Sequence, residues 1–163
     1  ILIADDEPDL LSQYRTILAD RDHEIVTTLD GELCVLEYSK ALAENRDNPF
    51  DAVVLDYSMP KLNGLQTAKE ILGLHQSQRI IFASAYVQET LVDSIKNLKQ
   101  IVELLQKPFS LQALVDTIED KNIYEELAKL NVNVQNLMDL NPTHAQIRDY
   151  LEALRKIQKA KTF

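Results

Sequence analysis

The feature that most constrains the fold of this sequence is a repeated alternation of short apolar runs with longer amphipathic stretches. The apolar runs begin near residues 1, 24, 51, 79 and 101, and each is followed by apolar residues at helical spacing. Strands that alternate regularly with helices form a parallel sheet whose two faces are covered by those helices. We therefore predict an α/β fold with a five-stranded, doubly wound parallel sheet in about the first 120 residues.

Some side chains have predicted places in the helices that follow these strands. Leu33, Leu36 and Leu42 recur at helical spacing and are predicted to form the apolar face of the second helix. Cys34, in the same helix, is predicted to be a packing residue rather than a reactive thiol. Ser110 is predicted to cap the fifth helix, since a serine hydroxyl can accept a hydrogen bond from the first turn.

Polar side chains stand at the ends of four of the five predicted strands. Asp5 and Asp6 follow the first strand, Asp56 ends the third, Ser84 ends the fourth and Lys107 follows the fifth. Open parallel sheets place their binding sites outside the carboxyl ends of the strands. A buried carboxylate is also costly unless a cation meets it, and Lys107 is available for that role. The sequence therefore predicts that these side chains converge in one site.

Three carboxylates beside an ammonium and a hydroxyl suggest a particular chemistry. Hard oxygen ligands in small number suit Mg²⁺, which is commonly shared with a phosphate group. The single cysteine and the three separated histidines do not form the sulfur and imidazole clusters that favour zinc. A carboxylate beside Mg²⁺ can attack phosphorus and form an acyl phosphate, while the metal and a lysine neutralise the phosphoryl oxygens.

The order and spacing of these motifs resemble the receiver domain of two-component response regulators. The resemblance covers about residues 1–120 and rests on Asp5-Asp6, on Asp56 with Met59-Pro60 and Asn63-Gly64 after it, on Ser84-Ala85, and on Lys107-Pro108-Phe109. It implies a flavodoxin-like sheet with the strand order 2-1-3-4-5. It also implies a phosphoprotein of a two-component phosphorelay that catalyses only its own phosphorylation and dephosphorylation and is otherwise no enzyme.

The resemblance also implies a role for each site residue. Asp56 would be the phospho-acceptor for a sensor histidine kinase. The Mg²⁺ ligands would be Asp5, Asp6, Asp56 and the main-chain carbonyl of Ser58, with Asp6 binding directly and Asp5 assisting. Mg²⁺ is the cofactor that this set implies. A phosphatase-like enzyme that turns over an aspartyl phosphate is the competing class, but it would need an acid where Ser58 stands.

The switch residues are the less regular part of the resemblance. Ser84 would move to bond the phosphoryl group, Lys107 would pair with it, and the peptide bond before Pro108 is expected to be cis. The family usually has an aromatic residue three positions before the lysine, where this chain has Leu104. Tyr86 could take over that role, or its ring could cover the phosphoryl group and slow hydrolysis.

Residues 121–163 lie beyond the part that resembles a receiver. One helical stripe consists of Ile123, Leu127, Leu130, Val134 and Leu137, and a second of Ile147, Leu151, Leu154 and Ile157. Asn141-Pro142 separates them, and Thr143 with Gln146 matches a capping box. The pattern predicts an amphipathic α-helical hairpin that must cover its apolar stripes against another surface.

Three interpretations of this extension remain open: a dimerisation or partner-docking element, a DNA-binding output of a transcriptional regulator, and a linker to a further domain. Residues 121–163 carry seven basic and five acidic residues, whereas the first 120 residues have a net charge of −11. The acidic receiver makes nucleic acid an improbable partner for that part, and the modestly basic extension makes a poor phosphate-binding footprint. We therefore favour a homodimer or a protein partner, with the downstream target unidentified.

The remaining composition bears on location. No apolar run approaches the ~18 residues needed to span a bilayer, so no membrane partner is predicted. The single cysteine excludes an internal disulfide and is typical of a reducing compartment. We therefore predict a cytoplasmic protein with a receiver at residues 1–120 and a helical extension at residues 121–163.

Overall fold

A computed structural model describes residues 1–44, 47–85, 89–98, 102–140 and 142–161. The chain divides into two compact units, residues 1–115 and 116–163, which are described separately below. This boundary lies five residues before the predicted one, and whether the two parts have the predicted separate functions stays a prediction. Among the described residues, no helix combines the length and the apolar composition that crossing a membrane requires.

The first unit is built on a five-stranded sheet in which all neighbouring strands are parallel. The strands are β1 (Leu2–Ala4), β2 (Val26–Thr28), β3 (Val53–Asp56), β4 (Ile80–Ser84) and β5 (Val102–Gln106). Their order across the sheet is β2-β1-β3-β4-β5. The predicted α/β fold and the predicted strand order are confirmed.

In the part of the chain that the structure describes, five helices connect and follow these strands: α1 (Pro8–Ala19), α2 (Gly31–Glu44), α3 (Gly64–Leu74), α4 (Glu89–Lys96) and α5 (Leu111–Glu119). Pro8 suits the start of α1 because its missing N–H is not needed there. Asn63 and Gln66 form a capping box at α3, and the Ser110 hydroxyl accepts a hydrogen bond from the Ala113 N–H at α5. The predicted cap at Ser110 is confirmed.

The core lies on both faces of the sheet, as expected for a parallel sheet between helices. Every residue of β1, β3 and β4 is buried, because alternating side chains of these strands meet helices on opposite faces. The helices contribute further buried side chains to the main cluster, among them Cys34, Tyr38, Ala68 and Ile71. The apolar runs of the sequence therefore are the central strands of this sheet.

The predicted apolar face of α2 is wrong for two of its three leucines. Leu33 is 42% exposed and Leu36 is 48% exposed, whereas Cys34 and Tyr38 are completely buried. Leu42 is partly buried at the margin of the core. The helix begins at Gly31 in close contact with the loop after β3, and this contact sets its rotation. Helical spacing alone cannot fix that rotation.

Cys34 is a free, buried cysteine, as predicted from its place in α2. Burial raises the pKa of its thiol to about 12, so the reactive thiolate is scarce at neutral pH. We expect the native protein to react with a thiol reagent such as dithionitrobenzoate at least tenfold more slowly than the urea-unfolded protein. Equal rates in the two states would contradict the burial of this side chain.

Among its described residues, the second unit has three helices after α5 rather than the predicted two: α6 (Ile123–Lys129), α7 (Val134–Met138) and α8 (His144–Lys161). The first apolar stripe is interrupted because Asn131 adopts a left-handed conformation, with φ 61°, just after α6. Asn133 then caps α7 by accepting a hydrogen bond from the Asn136 N–H. The predicted C-terminal helices are confirmed, but their first stripe is two short helices.

A small core of its own holds this second unit together. Ile123 and Leu127 of α6 are buried in one cluster with Ile147 and Leu151 of α8. The predicted capping box is present at the start of α8, where the Thr143 N–H donates to Gln146 Oε1 over 2.9 Å and the Gln146 N–H donates to Thr143 Oγ1 over 3.2 Å. The apolar stripes predicted from the sequence therefore pack on each other within the second unit, except at Ile157, which is 53% exposed.

Candidate functional site

The sheet brings the predicted site residues to one edge. Asp5 follows β1 directly, Asp56 is the last residue of β3, Ser84 is the last residue of β4, and Lys107 follows β5. The register aligns these ends, since Ala4 pairs with Leu55, Asp56 with Ala83, and Ser84 with Gln106. The carboxyl ends of four strands therefore meet at one place, where the strand order reverses between β1 and β3.

Three carboxylates form the centre of this site. One oxygen each from Asp5, Asp6 and Asp56 lies within 4.8 Å of the other two. Asp5 is 1% exposed and Asp56 is 7% exposed, whereas Asp6 is exposed to solvent. Asp5 Oδ1 also accepts a hydrogen bond from the Glu7 N–H over 3.0 Å, which fixes the orientation of this carboxylate.

Lys107 connects two of these carboxylates. Its Nζ donates to Asp5 Oδ2 over 2.8 Å and lies 3.1 Å from Asp56 Oδ1. The lysine side chain is only 15% exposed. Burial acts to lower the pKa of Lys107, but the hydrogen bonds and charges of Asp5 and Asp56 outweigh burial and raise it. The ammonium is therefore held in its charged form between the two carboxylates.

The phospho-acceptor candidate Asp56 lies in an unfavourable environment for a negative charge. Burial is the largest cause that raises the pKa of its carboxyl, and Lys107 acts against it by favouring the ionised form. The nearby charges of Asp5 and Asp6 raise the pKa of Asp56 further. One ammonium thus leaves two excess negative charges among the three carboxylates.

This donor set fits a small divalent cation. A magnesium ion prefers carboxylate and carbonyl oxygens together with water, and the exposed Asp6 leaves the cluster open to solvent on one side. A divalent charge would also balance the two excess negative charges of Asp5, Asp6 and Asp56. The metal role of these residues nevertheless stays a prediction, as does that of the Ser58 carbonyl.

The loop between β3 and α3 carries Ser58. The Gly64 N–H donates to the Tyr57 main-chain carbonyl over 2.8 Å and closes this loop. A Cβ atom at Gly64 would overlap the main-chain carbonyl oxygen of Asp56, so only glycine fits at this position. Ser58, whose main-chain carbonyl is a predicted Mg²⁺ ligand, is exposed within the loop, two residues after Asp56.

The residues predicted to act as a switch are only partly described. Ser84 is buried, and its main-chain carbonyl accepts a hydrogen bond from the Lys107 N–H over 2.8 Å. The Lys107–Pro108 peptide bond is cis, as predicted. Leu104 is half-buried and packs at the margin of the core, whereas Tyr86 lies outside the described residues. The role predicted for Tyr86 therefore stays untested.

Sequence reasoning missed an apolar cavity beside this site. The cavity has a volume of about 360 Å³ and is lined by Leu10 and Tyr14 of α1, by the Lys107-Pro108-Phe109 segment and by Leu111. The Tyr14 and Phe109 rings stack with centroids 6.0 Å apart, and burial raises the pKa of the Tyr14 hydroxyl to about 12. Tyr14 follows the helical spacing of α1, but nothing in the sequence pairs it with Phe109.

Comparison with known proteins supports the resemblance to a receiver domain that the sequence motifs indicate. The family model for the response regulator receiver domain matches residues 1–119. The chain is 28% identical to the chemotaxis protein CheY of Listeria monocytogenes over 120 residues, which cover 73% of this chain and 94% of the relative. It is 33% identical to the transcriptional regulatory protein CpxR of Klebsiella pneumoniae, covering 72% of this chain but 47% of that protein.

A solved structure also resembles this chain. It is the CheX–CheY complex with BeF₃ and Mg²⁺ from Borrelia burgdorferi, in which one chain is 27% identical to this one with a TM-score of 0.62. The match covers 72% of this chain and 84% of the solved one. The sheet order, the carboxylate cluster and the matched family model agree over the same residues. This chain belongs to the response regulator receiver family.

Proposed function

We propose that this protein accepts a phosphoryl group from a histidine kinase on Asp56, with Mg²⁺, and that phosphorylation switches its partner binding or oligomeric state. The observation that carries the proposal is the position of Lys107, whose ammonium lies between Asp5 and Asp56 in a cluster of three carboxylates. Membership of the receiver family supports the same function.

The residues of the site suit an in-line phosphoryl transfer. An oxygen of the Asp56 carboxylate attacks phosphorus, the bond between phosphorus and the kinase imidazole breaks, and the imidazole nitrogen keeps the electron pair. Lys107 is held in place by Asp5 over 2.8 Å, so it can exchange its Asp56 contact for a phosphoryl oxygen without moving far. A bound Mg²⁺ would neutralise charge on the phosphoryl oxygens.

Ser84 and Ser58 complete the proposed set. The Ser84 hydroxyl would donate a hydrogen bond to a phosphoryl oxygen. This bond would couple phosphorylation to the conformation of the first unit. Ser58 is exposed and offers no carboxylate to activate water, which argues against a phosphatase-like enzyme that turns over a separate substrate. The protein would catalyse only its own phosphorylation and dephosphorylation. A cytoplasmic location is part of the proposal, supported by the free thiol of Cys34.

The proposal is tested by incubation with phosphoramidate, a small donor whose phosphorus–nitrogen bond resembles that of a phosphorylated histidine. We expect one phosphate per chain, incorporated only when Mg²⁺ is present, with the alkali lability of an acyl phosphate. A kinase-bound phosphohistidine should give the same product faster. No incorporation from either donor in the presence of Mg²⁺ would contradict the proposed function.

The C-terminal helices are proposed to mediate homodimerisation or docking of a protein partner. The DNA-binding alternative is less well supported, because two of the basic side chains on α8 are engaged in ion pairs. Arg148 Nε lies 3.2 Å from Asp120 Oδ2, and Arg155 contacts Glu126. Side chains held in this way are poorly placed to bind phosphates along a nucleic acid backbone.

Ending the chain after Asp120 is expected to leave a folded receiver that still incorporates phosphate. Every candidate site residue lies at or before Lys107, and the buried apolar residues of α6 and α8 pack on one another in the second unit. We expect phosphate incorporation to stay within about twofold of the full chain, while the oligomeric state measured by sedimentation with BeF₃ and Mg²⁺ changes. An unfolded truncated chain would contradict this prediction.

A further inference from the structure

Asp30 is a buried carboxylate that joins the start of α2 to the loop after β3. Its Oδ1 accepts a hydrogen bond from the Leu33 N–H over 2.8 Å, which caps the first turn of α2. Its Oδ2 lies 3.2 Å from the ammonium of Lys61, in the loop between β3 and α3. Hydrogen bonding to the Leu33 N–H is the largest cause that lowers the pKa of Asp30, so this carboxylate is ionised at neutral pH.

Close packing supports the same connection beside the ion pair. A Cβ atom at Gly31 would overlap Thr67 Oγ1 and the Leu62 main-chain carbonyl oxygen, so the backbone of α2 touches both the loop and α3. Glycine at this position permits the contact. The Asp30–Lys61 pair therefore lies where α2 and the loop are in close contact.

The loop needs such support at Lys61. This residue has a left-handed backbone conformation, with φ 67°, which is unfavourable for a residue with a Cβ atom. Ser58 lies three residues before it in the same loop. Lys61 Nζ also lies 3.8 Å from Glu32 Oε2 of α2, while the Tyr57–Gly64 hydrogen bond and the Asn63 capping box lie at the two ends of the loop. The Asp30 contact holds its middle.

We propose that Asp30 and Lys61 are positioning residues of the candidate metal site. Their ion pair holds the loop against α2 and so would fix the backbone that carries the Ser58 carbonyl, the predicted further ligand, before a metal binds. This inference rests on the proposed function, since it concerns the site at which Mg²⁺ would be bound. The described contacts of Asp30 and Lys61 are with α2 and the loop, so each would act on the metal site through the backbone of the loop.

The sign of one substitution separates positioning from simple electrostatics. Lys61→Met removes a positive charge from the surroundings of an acidic cluster, and this loss alone should tighten the binding of a divalent cation. If the ion pair positions the loop, the same substitution should weaken binding by up to about fivefold, the upper end of the effect of an ion pair with one half-exposed partner. The two explanations therefore predict changes in opposite directions.

The experiment measures the Mg²⁺ dissociation constant of the full chain by titration calorimetry for four proteins. These are the wild type, Lys61→Met, the conservative variant Lys61→Arg and the matched control Lys69→Met, which removes an exposed lysine of α3. We expect weaker binding only for Lys61→Met, with Lys61→Arg close to the wild type. Binding by Lys61→Met as tight as that of Lys69→Met, or tighter, would overturn the inference.

A metal-free measurement gives a second readout. In EDTA, hydrogen exchange of the Tyr57–Gly64 amides should be faster in Lys61→Met than in Lys69→Met, with unchanged exchange in β1 and β3. Equal exchange of the loop in the two variants would also overturn the inference. If the wild type itself binds no Mg²⁺, that result contradicts the proposed function, and it is distinguishable from a wild type and a Lys61→Met variant that bind Mg²⁺ equally well.

Discussion

Replacing Asp56 by asparagine is expected to abolish the incorporation of phosphate. The amide has nearly the shape of the carboxylate but cannot form an acyl phosphate, so the loss should be complete rather than partial. Phosphate incorporated from phosphoramidate is the quantity to measure, with Mg²⁺ present throughout. The exposed Asp20, beside the end of α1, provides a control, and Asp20→Asn should incorporate phosphate at the wild-type rate.

The same substitution is expected to raise thermal stability. The pKa of the Asp56 carboxyl is raised in the folded protein, mainly by burial, so its ionisation at neutral pH favours unfolding. The sign follows because the folded state binds this proton more tightly, and stability therefore falls as pH rises through the folded pKa. Lys107 keeps its 2.8 Å contact with Asp5 in the variant. A lower melting temperature for Asp56→Asn, or phosphate incorporation like the wild type, would contradict this account.

The second large expected effect concerns the Mg²⁺ dependence of stability. The three carboxylates exceed the single Lys107 ammonium by two charges, so Mg²⁺ should stabilise the folded wild type. At a concentration of 100 times the dissociation constant, we expect a rise in melting temperature on the order of 10 °C. In Asp6→Ala this rise should largely disappear.

Asp6 is the better test of the metal site than Asp5. Asp6 is exposed, so Asp6→Ala should change the melting temperature in EDTA very little. Asp5 is buried and bonded to the Glu7 N–H and to Lys107, so its removal should destabilise the protein even without Mg²⁺. An Asp6→Ala protein that keeps the full Mg²⁺-dependent rise would show that this carboxylate is not a ligand.

Much of the site could be predicted because its residues stand at strand ends. Asp56 and Lys107 are 51 positions apart in the sequence, yet parallel strands place all their carboxyl ends at one edge of the sheet. Identification of β1, β3 and β5 was therefore enough to bring Asp5, Asp56 and Lys107 together. The same reasoning gives no distances, and the two contacts of the Lys107 ammonium come only from the structure.

The features that were not predicted depend on contacts between distant elements. The rotation of α2 follows from the packing of Gly31 on Leu62, and helical spacing contains no information about that contact. The Asp30–Lys61 pair is likewise invisible in the sequence, where both residues are ordinary polar residues of turns. The break at Asn131 was missed because its apolar neighbours continue the spacing of a single helix.

The most direct test of the central claim is to trap the acyl phosphate by chemical reduction. The full chain is treated with phosphoramidate and Mg²⁺ and then with sodium borohydride, which converts a phosphorylated aspartate to homoserine. Peptide mass spectrometry then locates the converted residue. The account predicts homoserine at position 56, dependent on both Mg²⁺ and the phosphodonor. Homoserine at Asp5 or Asp6 with unmodified Asp56, or no conversion at any aspartate, would contradict it.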